Sequence, residues 1–184
     1  MHRRLIPTIT FRPAKEENLS VTDIDFIVRL ARKLADGSRP GVLTTVDVSG
    51  RPQARWMPTV GFNPFPLLYA WSSSESREAE ALKRKPFVNW MFGNDLRGPV
   101  VNFTGPARVV TEAVIINQLW KLRAQQACLP SASRRDTGFR LILIETRVDN
   151  IECNISREQF EAWARFTVQP SFWSSCGITE SETR

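Results

Sequence analysis

Apolar residues recur every three or four positions at Ile24, Ile27, Val28, Ala31 and Leu34, behind Ser20 and Asp23, until Asp36-Gly37 ends the run. That spacing and the Ser/Asp capping signature predict a helix packed along one face. The period then changes. GVLTTVDVSGRPQARWMPTV reads as two β-runs, Val42 to Val48 and Gln53 to Val60, joined by a Ser-Gly turn. Alternation in the second run places Gln53, Arg55, Met57 and Thr59 on one side and Ala54, Trp56, Pro58 and Val60 on the other. Pro64 and Pro66 bound a third run, Leu67 to Trp71.

A short charged helix, about Glu75 to Lys85, is stopped by Pro86. FVNWMF reads as a buried strand, GNDLRGP as a turn-rich loop and VVNFTGPARVV as a further strand. From Thr111 a second long helix puts Ile115, Ile116, Leu119 and Trp120 on one side, followed by the loop ACLPSASRRDTG and the strand FRLILIETRV. Ser156 and Gln159 form a capping box that predicts a last helix carrying Phe160 and Trp163. After Phe166 the pattern has no period. About six strands in a meander with flanking helices imply an α+β domain built on an antiparallel barrel. One domain spans 1–184, with its core at about 20–165. Without βαβ alternation, a doubly wound nucleotide fold is disfavoured.

Composition narrows the chemistry. The 184 residues are 42% hydrophobic and include eleven Phe and six Trp, enough for a sizeable core. No apolar run approaches the roughly 20 residues that cross a bilayer, and the N-terminal stretch lacks a signal peptide's apolar region, so a cytoplasmic protein without a membrane partner is expected. Cys128, Cys153 and Cys176 are odd in number and far apart, which argues against a disulfide framework, a zinc cage and a dithiol site. The single histidine, His2, is terminal, and Tyr69 is the one tyrosine. Histidine-based triads and His-rich metal sites are thereby excluded, and any hard chemistry is left to a cofactor. The net charge of +6 is scattered among acids, and most aromatics sit in apolar runs, so nucleic acid is not the expected partner.

The stretch WSSSESREAEALKRKP holds the strongest chemical signal. Ser74 as cap, Glu75 at the positive helix end and a Glu80–Arg84 pair account for most of it. Arg77, a cation in the first turn, is not accounted for, since the helix dipole opposes it by roughly 0.3 to 1 kcal/mol. A phosphate at that point would reverse the sign. Arg55 poses the same question from mid-strand: an inward arginine needs a partner, either an Asp or Glu or the anion that Arg77 faces.

GVLTTVDVSGRPQARWMP, LLYAWSSSESREAEALKRKPFVNWMF and VVNFTGPARVV together resemble the split-barrel FMN-binding family of pyridoxamine 5′-phosphate oxidase-like proteins, particularly its general stress protein branch. The likeness runs from about Ile24 to Leu122. It implies an antiparallel six-stranded split β-barrel and a homodimer with FMN at the subunit interface. By the same resemblance Arg55 meets the FMN phosphate, and the backbone of Trp56, Met57 and Pro58 runs beside the isoalloxazine ring. Trp71 and Ser72 match the pair ending the third strand, and Ser76 and Arg77 match the Ser-Arg that closes on the phosphate. Three positions depart from the family: Glu78 stands where a lysine is common, Val100 stands where the true oxidases carry a glutamine, and no lysine lies near Val60. The expectation is an FMN-dependent oxidoreductase acting on a small substrate, distinct from the pyridoxamine phosphate oxidase and with no catalytic side chain named. The alternative is a binding protein for flavin, deazaflavin or haem without turnover.

Overall fold

The computed structural model describes residues 10–11, 21–93, 98–124, 140–157 and 160–167, with side chains placed over 26–93, 98–122 and 140–153. In chain order the elements are β1 (Thr10–Phe11), α1 (Val21–Leu34), β2 (Gly41–Val46), β3 (Pro52–Met57), β4 (Thr59–Phe62), β5 (Leu67–Ser73) and α2 (Arg77–Arg84). They continue with β6 (Phe87–Gly93), β7 (Val100–Val110), α3 (Ala113–Ala124), β8 (Leu141–Arg147), β9 (Asn150–Arg157) and β10 (Phe160–Thr167).

β7 organises the sheet. Residues 100–106 pair with β6, residues 100–104 also pair with β9, and residues 107–110 pair with β8, all antiparallel. One arm therefore runs β7-β6-β2-β3 and the other β7-β8-β5-β4. The arms meet through the chain itself, because β3 and β4 are separated only by Pro58. Proline has no N–H to give a ladder, which suits the point where the chain leaves one arm for the other. The result is the α+β split barrel.

The partner change along β7 requires Gly105. A Cβ there would lie 1.9 Å from the Arg147 carbonyl oxygen, and the neighbouring Thr104 carbonyl accepts the Asp149 N–H at 2.9 Å. Gly61 serves a second close approach: its φ is +93°, and a Cβ would meet the Asp36 carbonyl oxygen at 2.7 Å, where the end of α1 is seated.

Two apolar clusters follow from strand alternation. The inner one gathers Leu43, Met57, Leu68, Trp90, Phe92, Val101, Phe103 and Ile144, with Ile27, Ala31 and Leu34 of α1 packed on it. The outer one places Val60, Leu67, Tyr69, Trp71, Val110 and Leu143 beneath Leu119 of α3, with Ile115, Ile116 and Trp120 half-buried beside them. Both predicted packing helices thus use the faces that their spacing indicated.

Three expectations differ from the structure. Among the described residues the sheet has ten strands, not six, because Gln53–Val60 divides at Pro58 and because β1, β9 and β10 are added. The segment predicted as a last helix is a hairpin, with Phe160 opposite Arg157 and Phe166 opposite Ile151. Its capping-box spacing is a local signal, whereas the free edge of β7 supplies a ladder to β9 that no local pattern reports. FVNWMF is buried on one face only, since Phe87 and Met91 are exposed. The loop read at ACLPSASRRDTG and most of GNDLRGP lie outside the described residues. No described helix is long and apolar enough to cross a membrane.

Candidate functional site

β5 delivers Ser72 and Ser73 to a tight turn in which the Ser76 N–H donates to the Ser73 carbonyl at 3.0 Å. Ser76 then adopts extended backbone, φ −72° and ψ 151°, and its Oγ accepts the Ala79 N–H at 3.2 Å. Ser76, not Ser74, is therefore the cap of α2, because only its hydroxyl reaches the third helical N–H. The cap makes Arg77 the first helical residue and Glu78 the second. Glu78, Ala79 and Leu82 form the buried face of this helix.

On β3, Arg55 lies opposite Leu43 on the inner face of the ladder, so its side chain runs into the barrel's end. It meets Glu78 there. Arg55 Nη1 donates to Glu78 Oε2 at 2.5 Å, with the two side chains 25% and 10% exposed. Ser72 Oγ lies 2.7 Å from Glu78 Oε1 and 2.9 Å from Ser76 Oγ. A hydroxyl has one proton, and an ionised carboxylate can only accept. Ser72 therefore donates to Glu78 and accepts from Ser76, which in turn accepts from Ala79. Burial pushes the Glu78 carboxyl upward in pKa, but the Ser72 hydroxyl, its own backbone N–H and the Arg55 guanidinium outweigh this and hold it below the ordinary range. Glu78 is ionised at neutral pH. Arg55 Nε stays buried without a partner.

The other residues singled out in sequence are divided by strand geometry. Met57 points into the core, while Trp56 points outward and is 72% exposed. The Pro58 carbonyl accepts the Trp71 N–H at 3.0 Å, which brings the two expected backbone stretches side by side. The Trp71 indole turns away from Ser72 and packs edge-on against Trp120, with ring centroids 5.5 Å apart. Arg77 is exposed and makes no ion pair among the described residues. Lys83 and Arg84, the remaining cations of the helix, are both paired to Glu80, at 3.0 and 3.5 Å. The structure thus assembles Arg55, Ser72 and Ser76, and adds Glu78 as the residue that joins them.

A family model described as pyridoxamine 5′-phosphate oxidase matches residues 28–148, well over half the chain. The chain belongs to the pyridoxamine 5′-phosphate oxidase family. Among solved structures it is similar to general stress protein 26 of Bacillus anthracis, at 21% identity over 66% of this chain and 88% of that one, with a TM-score of 0.51. A pyridoxamine 5′-phosphate oxidase-related, FMN-binding protein of Nostoc punctiforme is 16% identical over 83% of this chain and 99% of that one, with a TM-score of 0.53. A heme-binding protein of Mycobacterium smegmatis is 16% identical over 72% of this chain, which spans 55% of that one, with a TM-score of 0.53. At these identities the likeness is one of fold. No curated protein matches.

Among family members the question put to the cluster is whether it suits a phosphate. Of the groups that the resemblance assigns to a phosphate, Arg55 Nη1 and the Ser72 and Ser76 hydroxyls are committed to a network ending on Glu78, and Arg77 alone, exposed in the first turn of α2, is left without an ion pair among the described residues. A phosphate would also lie beside a buried carboxylate of its own sign. The residues present do not fit the FMN phosphate.

Sequence reasoning missed a second polar cluster. Tyr69 Oη donates to Glu145 Oε2 at 2.6 Å, and Arg108 Nε donates to Glu145 Oε1 at 2.6 Å. Burial, with the Glu145 carboxylate beside it, pushes the Tyr69 hydroxyl far above its usual pKa, so it stays protonated. The cross-strand register that joins Tyr69 to Glu145 and Glu145 to Arg108 is non-local, and no spacing in the chain signals it. Cys153 is buried, its thiol pushed up to about 11 by desolvation, which makes it a packing residue. The described residues hold no group of His, Cys, Asp and Glu arranged for a metal.

Proposed function

We propose that this family member is a flavin-class oxidoreductase acting on a small substrate, with the flavin ring held at a homodimer interface along the Trp56–Met57–Pro58 backbone. The observation that carries this reading is the free edge of β3. Among the described residues β3 pairs with β2 alone, so its other edge presents backbone N–H and C=O groups beside the Arg55 cluster. A row of donors and acceptors on a rigid strand suits a planar heterocycle whose edge alternates the same groups. The face next to that edge is apolar and uncovered. Trp56 and Met91 both lie opposite Val42 in the ladders, and the exposed Phe87 follows on the same face of β6. A second copy of the chain would cover this face and exclude water from the ring.

A bound flavin supplies electron and hydride transfer, and the chain's own part is to bind and orient it. Glu78 is ionised and held in its ion pair with Arg55, so the cluster offers no acid or base. This favours, as a second reading, a protein that holds the flavin without turnover. A haem version would draw no histidine from the described residues, since His2 lies outside them.

The absorbance spectrum of the purified protein tests the proposal. Flavin bands, or quenching of added flavin, support it. A colourless protein that quenches neither FMN nor riboflavin contradicts it. Reduction of the bound flavin by a nicotinamide donor separates the oxidoreductase from the binding-only reading.

A further inference from the structure

We infer that Glu78 is the chain's own occupant of the anion position, and that the flavin taken here is the form without a phosphate, its neutral polyol tail ending at the Arg55–Glu78 pair. The ligand's identity rests on the flavin reading above, whereas the role of Glu78 stands on the cluster alone.

Donors, charge and displacement point the same way. Ala79 N–H, Ser76 O–H, Ser72 O–H and Arg55 Nη1 form an ordered set of donors that terminates on the two carboxylate oxygens. A phosphate could gain them only by taking them from Glu78. The guanidinium and carboxylate of the pair cancel, so of the cations beside it only Arg77, exposed and turned to solvent at the start of α2, is left to attract a dianion. Lys83 and Arg84 are engaged with Glu80 near the far end of the helix. Glu78 cannot withdraw cheaply, because it shares the buried face of α2 with Ala79 and Leu82. Turning it out would strip Arg55 and Ser72 of their partner, and orphaned buried charges and donors are costly.

A hydroxyl is treated differently by the same atoms. A carboxylate has about four lone-pair sites, and Ser72, Arg55 and the Glu78 backbone N–H engage three of them. The Arg55 side chain, meanwhile, is 25% exposed and has guanidinium N–H groups beyond the one given to Glu78. A polyol hydroxyl can donate to Glu78 and accept from Arg55 without separating them. The pair thus reads a neutral group that both donates and accepts, and disfavours an acceptor-only anion.

The full chain and its Glu78→Gln variant are compared in two ways. Thermal unfolding is followed in inorganic phosphate against chloride of equal ionic strength, and flavin fluorescence is titrated with riboflavin and with FMN. Phosphate is expected to leave the wild type where chloride leaves it and to raise the midpoint of Glu78→Gln. Riboflavin is expected to bind the wild type at least as tightly as FMN, and the variant to favour FMN by about tenfold, as one gained charge-assisted contact allows. Phosphate stabilisation of the wild type, or a wild-type preference for FMN of about tenfold, overturns the inference. If neither flavin binds while the phosphate contrast persists, the flavin reading and the polyol ligand fail and the role of Glu78 is upheld. Glu78→Ala, which removes the carboxylate without adding an amide, replaces the first variant should that one not fold.

Discussion

Arg55 of β3 and Glu78 in the first turn of α2 are 23 positions apart in the chain and joined by a 2.5 Å hydrogen bond between opposite charges. Each answers the problem posed by the other. An inward arginine in a half-buried strand needs an anion, and an acidic residue on the buried face of a helix needs a cation. The positive end of α2 favours the carboxylate as well. On the inference above, Glu78 takes the position where the resemblance implies a phosphate.

Acidification discharges this pair in one direction only. The folded pKa of Glu78 lies below its unfolded value, so its contribution to stability is complete above the ordinary glutamate range and is lost as the pH falls through that range to the folded value. Glu78→Gln lacks the titrating group. The wild type is expected to exceed Glu78→Gln in unfolding midpoint at neutral pH, with the gap closing as the solution becomes acidic. Other carboxylates are common to both proteins, so parallel profiles would remove Glu78 as the cause.

Trp56 belongs to the account through its outer face. At 72% exposure on the strand that ends the sheet, it shares an outer apolar face with Met91 at 43% and Phe87 at 52% of β6, across Val42 of β2. Trp56→Glu places a charge in the middle of the proposed subunit contact while disturbing no core packing. Light scattering is expected to give a dimer for the wild type and a monomer with an unchanged far-ultraviolet dichroism spectrum for the variant. A wild-type monomer would contradict the proposed dimer, and a variant that stays dimeric would place the interface elsewhere.

Gly105 tests the branching of β7. An added methyl meets the Arg147 carbonyl at 1.9 Å, a backbone atom held in the β7–β8–β9 crossing. Gly105→Ala is expected to cost at least about 2 to 3 kcal/mol in denaturant unfolding, at the upper end of overpacking. A loss near the roughly 1 kcal/mol of an average substitution would mean that the crossing yields easily.

The legible parts of this fold are those with a local cause. Alternation in QARWM put Met57 and Trp56 on opposite sides, as they are found, whereas past the break at Pro58 both Thr59 and Val60 are buried, although Val60 was set on the side of Trp56. The spacing of Ile115, Ile116, Leu119 and Trp120 marked the face that α3 lays on the sheet. Pairing over long distances was not legible. Nothing near Ser156 reports that β7, about fifty residues earlier, has an open edge, so a capping spacing was read where a hairpin forms. The candidate site divides along the same line. Arg55, Ser72 and Ser76 were visible as groups wanting or offering hydrogen bonds, and Glu78 as a charge at odds with a phosphate. That Glu78 itself satisfies Arg55 depends on how β3, β5 and α2 meet in space.

The central claim, that Glu78 is the partner of Arg55, is tested most directly by a double-mutant cycle in denaturant unfolding with Arg55→Met, Glu78→Gln and the pair together. A charge-assisted contact this well shielded predicts a coupling energy of about 1.5 to 3 kcal/mol, with the double variant less destabilised than the sum of the two single ones. A coupling at or below about 0.5 kcal/mol, the size found for exposed ion pairs, would contradict it.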